Sequence, residues 1–242
     1  MSAQPLLDEP PSVPADSRVV NVLDHGFVRL DAAMADDLSV VNAARVSFGA
    51  RREAMEERDA GLVRFLMRER HGTPFEHNAF RFHVACPMFV AREWFRHRVG
   101  SFNERSARYS EMPDQFYVPA AEDVRTQVGK PGAYTFEPLA DDAAESVREG
   151  IAASYAESYR RYQEMLGAGV AKEVARTVLP VGLYTEFYWT VNARALMNFI
   201  SLRAAETAQR EIRRYAEACD TFFAEAMPIT HAAFTAAGRV AP

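Results

Sequence analysis

Apolar and polar side chains alternate most cleanly in two stretches. Between residues 78 and 86, Phe80, Phe82, Val84 and Cys86 fall on one face and Arg81 and His83 on the other. A period of two over this length predicts a half-buried strand. Residues 183–191 repeat the pattern: Leu183, Phe187 and Trp189 face one way, and Tyr184, Glu186, Tyr188 and Thr190 the other, exposed way. Residues 19–34 predict a strand, a turn at His25 and Gly26, and a second short strand.

Helical spacing governs most of the remainder. Helices are expected over 36–46, over 56–70 (Leu62, Phe65 and Leu66 at helical spacing), over 87–98 and over 143–167. Pro87 suits the first turn of its helix. A short helix near 170–178 is stopped by Pro180. Asn192 is a good N-cap for 193–202; 207–226 is amphipathic, and the last residues form a small helical tail. Loops are expected at 71–77, where Gly72 and Pro74 interrupt, near Gly100, and over 119–142, which mixes Pro, Gly, acids and Thr. Residues 1–18 carry Pro5, Pro10, Pro11 and Pro14 and read as a disordered tail before a domain spanning 19–242. No internal repeat, βαβ rhythm or glycine-rich dinucleotide fingerprint is present. The expected class is α+β: a mixed, mainly antiparallel sheet packed with long helices in a single domain.

The 242 residues suffice for a sizeable core, and 48% hydrophobic with 25% charged residues is ordinary for a globular chain. No apolar run reaches membrane-spanning length and the N-terminus lacks a secretory pattern, so a cytoplasmic protein with no membrane partner is expected. Cys86 and Cys219 are the two cysteines, far apart and without metal-ligand spacing, so both are expected in the core and no metal site is expected.

Residues 96–110 break the pattern. They hold Arg96, Arg98, Arg105 and Arg108, with His97, three serines, Asn103 and Tyr109, no lysine, and Glu104 as the one acid. Buried guanidiniums would each need a fixed partner, and a solvated helix would interleave lysines with acids. Arginine alone suits fork-shaped recognition of phosphate or of a planar, electron-rich ligand. With 28 basic against 33 acidic residues the net charge is −5. That balance favours a small anionic ligand over the rival reading, a nucleic-acid-binding module.

The spacing Arg96, His97, Arg98, Ser101, Asn103, Ser106, Arg108, Tyr109 resembles the signature of the flavin-dependent thymidylate synthases. Residues 71–77 (HGTPFEH), 169–180 (GVAKEVARTVLP) and 183–204 (LYTEFYWTVNARALMNFISLRA) are similar to that family's other blocks, in order. The resemblance covers about residues 19–230. It implies an enzyme that makes dTMP from dUMP, with 5,10-methylenetetrahydrofolate as carbon donor and hydride passing from NADPH through bound FAD. It also implies a homotetramer whose active sites draw on more than one subunit. The matching positions imply FAD contacts from Thr73, Arg96, His97, Arg98, Glu104, Asn192, Arg194 and Asn198. They imply dUMP contacts from Glu93, Arg96, Glu104, Ser106, Ala107, Arg108, Arg176 and Arg203. Arg203 matches the residue that promotes ionisation at N3 of uracil, and His71 a histidine beside the flavin. One departure is Thr207, where some members carry a flavin-contacting histidine.

The residues agree with this chemistry independently. Neither cysteine has the electropositive, exposed setting that a reactive thiolate needs, which is consistent with a mechanism lacking an enzyme–C6 bond; the resemblance implies that Arg203 polarises the ring instead. Ser106 is a nucleophile only with a general base in reach; a hydrogen-bond donor to the nucleotide is the better reading. Plainer roles stand for others: packing or hydrogen bonding for His77 and His83, an arginine pair for Glu76, core for Trp94, Phe95, Phe187 and Trp189, ion pairs for Arg92 and Arg105, and structure for Tyr109.

Overall fold

The computed structural model describes residues 18–130 and 132–242, so positions 1–17 of the expected tail lie outside the described residues. Arg18 already belongs to the folded part, since its carbonyl accepts from the Leu30 N–H at 2.9 Å.

Strands β1 (Val19–Val22) and β2 (Gly26–Met34) form a hairpin. Helices α1 (Asp37–Arg45), α2 (Glu57–Arg68) and the single turn α3 (Thr73–Glu76) follow. Then come β3 (Ala79–Pro87), α4 (Met88–Trp94) and β4 (Ser101–Glu104). A second hairpin, β5 (Arg125–Lys130) and β6 (Ala133–Pro138), precedes the long α5 (Asp141–Gly167) and the short α6 (Lys172–Ala175). The chain closes with β7 (Tyr184–Asn192), α7 (Ala193–Arg203), α8 (Arg210–Ala226) and α9 (Pro228–Ala236).

The main sheet runs β1-β2-β3-β7-β4, with every neighbouring pair antiparallel. This is the expected α+β arrangement. Phe80, Phe82 and Val84 of β3 and Phe187, Trp189 and Val191 of β7 are buried on one face, where α4, α7 and α8 supply Trp94, Phe199 and Phe222. The opposite face carries Arg81 paired with Asp31 at 2.5 Å, and His83 against Glu186 at 3.3 Å. A second apolar cluster, centred on Phe116, Tyr162, Ala175 and Leu183, lies under α5 and α6. No helix among the described residues is long and apolar enough to cross a membrane.

Several local expectations change. Residues 119–142 are not a loop, because the β5–β6 ladder occupies them; every residue of both strands but Arg125 is exposed, so no burial pattern marks it. The loop at Gly100 is present, and it leads directly into β4 at Ser101, a strand drawn onto the sheet by Phe102 stacking on Trp189. The 71–77 loop contains the turn α3, with Pro74 in its first positions. Helix α4 ends at Trp94, so the arginine-rich stretch follows the helix instead of riding on its last turn. Tyr184, expected outside, is 4% exposed, and its hydroxyl donates to Asp24 Oδ1 at 2.5 Å under the 23–25 turn. Both cysteines are free and wholly buried, as expected.

Candidate active site

A cavity of about 610 Å³ opens beside the C-terminal end of β7. Helix α7 lines it with Arg194, Asn198 and Leu202 at four-residue steps, while Leu196, Met197, Phe199 and Ile200 point into the core. The periodicity of one helix thus separates ligand face from packing face. Asn192 begins that helix: its Oδ1 accepts from Ala195 N–H at 2.8 Å, so its amide nitrogen remains as a donor towards the cavity it lines.

The facing wall is the segment after α4. Its backbone tightens there, Arg96 N–H reaching Glu93 O at 3.3 Å and His97 N–H reaching Trp94 O at 2.9 Å. Arg96, His97, Arg98 and Val99 then line the cavity. Gly100 fixes the entry to β4, because a Cβ there would lie 2.8 Å from Trp189 Nε1 and 2.9 Å from Thr190 O.

Arg203 joins the two walls. Its Nε donates to His97 Nε2 at 3.0 Å, and its terminal nitrogens donate to Glu93 Oε2 at 3.1 Å and Glu93 O at 3.2 Å. The direction of the first bond assigns the neutral His97 proton to Nδ1. Burial, reinforced by the Arg203 charge, pushes the His97 pKa down to about 4. Burial pushes Glu93 up; Arg203 opposes this and Glu211 adds to it. The triad therefore keeps its positive charge on Arg203 and an uncharged imidazole beside it.

Arg194 is held from the other side. Its Nη1 pairs with Glu76 at 2.6 Å and its Nε donates to Pro242 O at 2.7 Å. Gly72 packs against the same guanidinium, so closely that a Cβ would lie 2.7 Å from Arg194 Cζ. This contact sets Gly72, between His71 and Thr73, against that guanidinium, while His71 and Thr73 themselves do not line the cavity. His71 is fixed by the end of α2, where its N–H bonds Leu66 O at 2.9 Å and the Arg70 N–H bonds Met67 O at 3.2 Å. That pair of bonds is a Schellman motif, completed by the His71 ring meeting Phe65 edge-on at 5.8 Å.

The remaining site candidates are elsewhere. Glu104, on β4, accepts from Thr185 Oγ1 at 2.7 Å. Ser106, Ala107 and Arg108 form the turn after β4, and Arg105 N–H bonds Glu186 O at 2.8 Å. Ser106 Oγ accepts from Arg108 N–H at 3.3 Å and has no side-chain base bonded to it among the described residues. Ala107 packs on the second apolar cluster, to which the helical segment before Arg176 also contributes through Ala175. Lys172 Nζ, on α6, donates to Tyr109 O at 3.3 Å and ties these two segments together. From Glu186 to Asn192 is six residues of strand, roughly 20 Å, so this second group sits at the far end of β7 from the cavity. Thr207 lines a different cavity, with Gln209 and Phe136.

Sequence reasoning missed Val99, Ala195, Leu202, Ala241 and Pro242 in the cavity wall; Glu76 forms the arginine pair expected of it, with Arg194, and lines the cavity as well. The four-residue step from Asn198 to Leu202 is a signal that finds Leu202; nothing local announces that residues 241 and 242 return to α7. Tyr109 is 75% exposed with the Arg108 guanidinium 5.0 Å over its ring, an outward feature instead of a packing one. Arg105 bonds the Glu111 carbonyl at 3.0 Å instead of an acid.

Known proteins sharing these features are consistent with one another. Residues 29–229 match the family described as thymidylate synthase complementing protein. The flavin-dependent thymidylate synthase of Thermotoga neapolitana is 50% identical over 215 residues, 89% of this chain and 93% of the relative. That of Streptomyces coelicolor is 46% identical over 243 residues, 95% of this chain and 99% of the relative. A crystal structure of the UMP/dUMP methylase PolB from Streptomyces cacaoi with 5-bromo-dUMP superimposes with a TM-score of 0.85 at 44% identity, covering 92% of this chain and 100% of that one. This chain belongs to the flavin-dependent thymidylate synthase family.

Proposed function

We propose that the chain makes dTMP from dUMP by reductive methylation, with 5,10-methylenetetrahydrofolate as carbon donor and NADPH as reductant. FAD, in the cavity lined by Arg96, His97, Arg98, Asn192, Arg194 and Asn198, supplies hydride chemistry when bound. The observation that carries the reading is the convergence of these residues with Arg203 on one cavity although they come from two segments about 95 positions apart. A donor-rich wall of arginines and amides beside exposed Val99 and Leu202 fits a ligand with an anionic backbone and an apolar ring.

Within this reading the residues divide the work. Arg203, held by Glu93 and neutral His97, keeps a guanidinium where negative charge develops on the uracil ring. His71 and Thr73, flanking the glycine that packs on Arg194, border the flavin. Ser106 and the Ala107 backbone orient the nucleotide, Arg108 and Arg176 hold its phosphate, and Glu104 contacts both ligands. No thiol takes part: burial drives both cysteines well above the ordinary thiol range. The roughly 20 Å between the two groups on one chain supports sites completed by another copy, in a homotetramer. Residues 19–242 act as the catalytic domain, in the cytoplasm.

The test is direct. Purified protein should carry a flavin spectrum and oxidise NADPH, with dTMP formed, only when dUMP and methylenetetrahydrofolate are present. UMP is run in parallel, because a solved relative is named for methylating both nucleotides. Flavin-loaded protein that forms no methylated nucleotide would overturn the proposal.

A further inference from the structure

A second cavity, of about 400 Å³, borders chain segments that continue into the first. Arg64, Arg68 and Arg70 rim it, and Met67, Ala233 and Val240 are among the residues of its floor. Two stretches of backbone serve both cavities. Residues 70–72 run from Arg70 in the second to Gly72 against Arg194 of the first, and residues 240–242 run from Val240 to Pro242.

Positive charge at this rim is only partly compensated. Of the three guanidiniums, Arg68 pairs with Glu69 at 2.7 Å, whereas Arg64 and Arg70 have no ion pair or side-chain hydrogen bond among the described residues. The nearby acid Asp220 is taken by Arg239 and His231. Arg70 also occupies the left-handed residue of the Schellman motif, with φ +59°. Glycine is the ordinary residue at that position because a Cβ is strained there. A cation at a helix C-terminus is favourable, but Arg68 in the last turn already supplies one. The left-handed backbone at Arg70, which Leu23 and Arg239 also adopt, places an arginine at the rim of this cavity where a glycine would serve the turn equally well.

We propose that this cavity binds the anionic, ring-bearing end of a co-substrate whose reactive end reaches the flavin cavity. The alanine-rich floor accepts a flat ring, and Arg64 and Arg70 take its negative groups. Two co-substrates of the proposed reaction share that chemistry: the 2′-phosphoadenosine end of NADPH and the aminobenzoyl-glutamate end of the folate. The inference rests on the synthase reading, and wild-type turnover in the same assay separates failure of one from failure of the other.

The experiment compares wild type with Arg64→Ala, Arg70→Gly and the double variant, measuring KM for NADPH, for NADH, and for methylenetetrahydrofolate with one or three glutamates. Loss of one charge-assisted contact should raise the affected KM about tenfold. A rise for NADPH but not NADH assigns the 2′-phosphate; a rise for the folate that grows with glutamate number assigns that tail. Unchanged KM for both co-substrates in the double variant, with wild type active, overturns the inference. Arg70→Gly suits the backbone it replaces, so it decides the matter should the double variant not fold.

Discussion

Replacing Arg203 by alanine separates stability from chemistry by magnitude. The side chain makes three hydrogen bonds, two to Glu93 and one to His97. Arg203 and Glu93 are 23% and 28% exposed, so solvent screens part of each interaction. The expected loss is about 1–2 kcal/mol of folding stability. For a chain of this length that lowers Tm by about 2–8 °C. Against a total stability of about 5–15 kcal/mol, more than ~99% of molecules remain folded at 25 °C. Removing a donor aimed at developing charge costs about 10²–10³ in kcat. Unfolding therefore cannot account for the activity lost at that temperature. The assay follows dTMP formation with saturating dUMP, folate and NADPH on protein whose flavin absorbance matches wild type. Arg203→Lys retains one charge without the fork, and should recover more stability than turnover. A flavin-loaded Arg203→Ala enzyme with kcat within about threefold of wild type would refute the assigned role.

Three further outcomes are expected. Cys86→Ala with Cys219→Ala should retain turnover while losing about 1 kcal/mol at each buried site in urea denaturation; a folded, flavin-loaded but inactive protein would reinstate a thiol mechanism. Gly100→Ala forces β4 away from backbone and indole that cannot yield, so a loss of about 1–3 kcal/mol and weaker flavin retention in gel filtration are expected; an unchanged urea midpoint would contradict the close contact. His97 has a folded pKa of about 4, below the ordinary 6.5 of the unfolded chain, so the unfolded state binds its proton first. Its contribution is present above pH 6.5 and lost as pH falls towards 4; the opposite displacement of Glu93 makes a His97→Gln comparison necessary, and equal pH slopes for the two proteins would exclude the effect.

The sequence makes β3 and β7 legible because each buries one face completely, and α7 because Asn192 both caps the helix and precedes a clear apolar stripe. The residues of the main cavity were legible only through the resemblance; their individual chemistry predicts an anion site without saying which segments meet. Strand β4 left no mark, since Phe102 is its one large apolar residue and pairing with β7 does the ordering. The β5–β6 hairpin is invisible for a related reason: a solvent-exposed ladder needs no alternation. Tyr184 was misplaced because its burial comes from the 23–25 turn, a non-local cover that no period along β7 encodes. The return of Pro242 to Arg194, across 48 positions, is equally non-local.

Complete burial of both sulfhydryls has a consequence outside catalysis. Alkylating agents and peroxides react with exposed thiolates, and this protein presents none. Synthesis of the DNA precursor should therefore persist under oxidant or electrophile exposure that silences enzymes relying on an accessible nucleophilic sulfur.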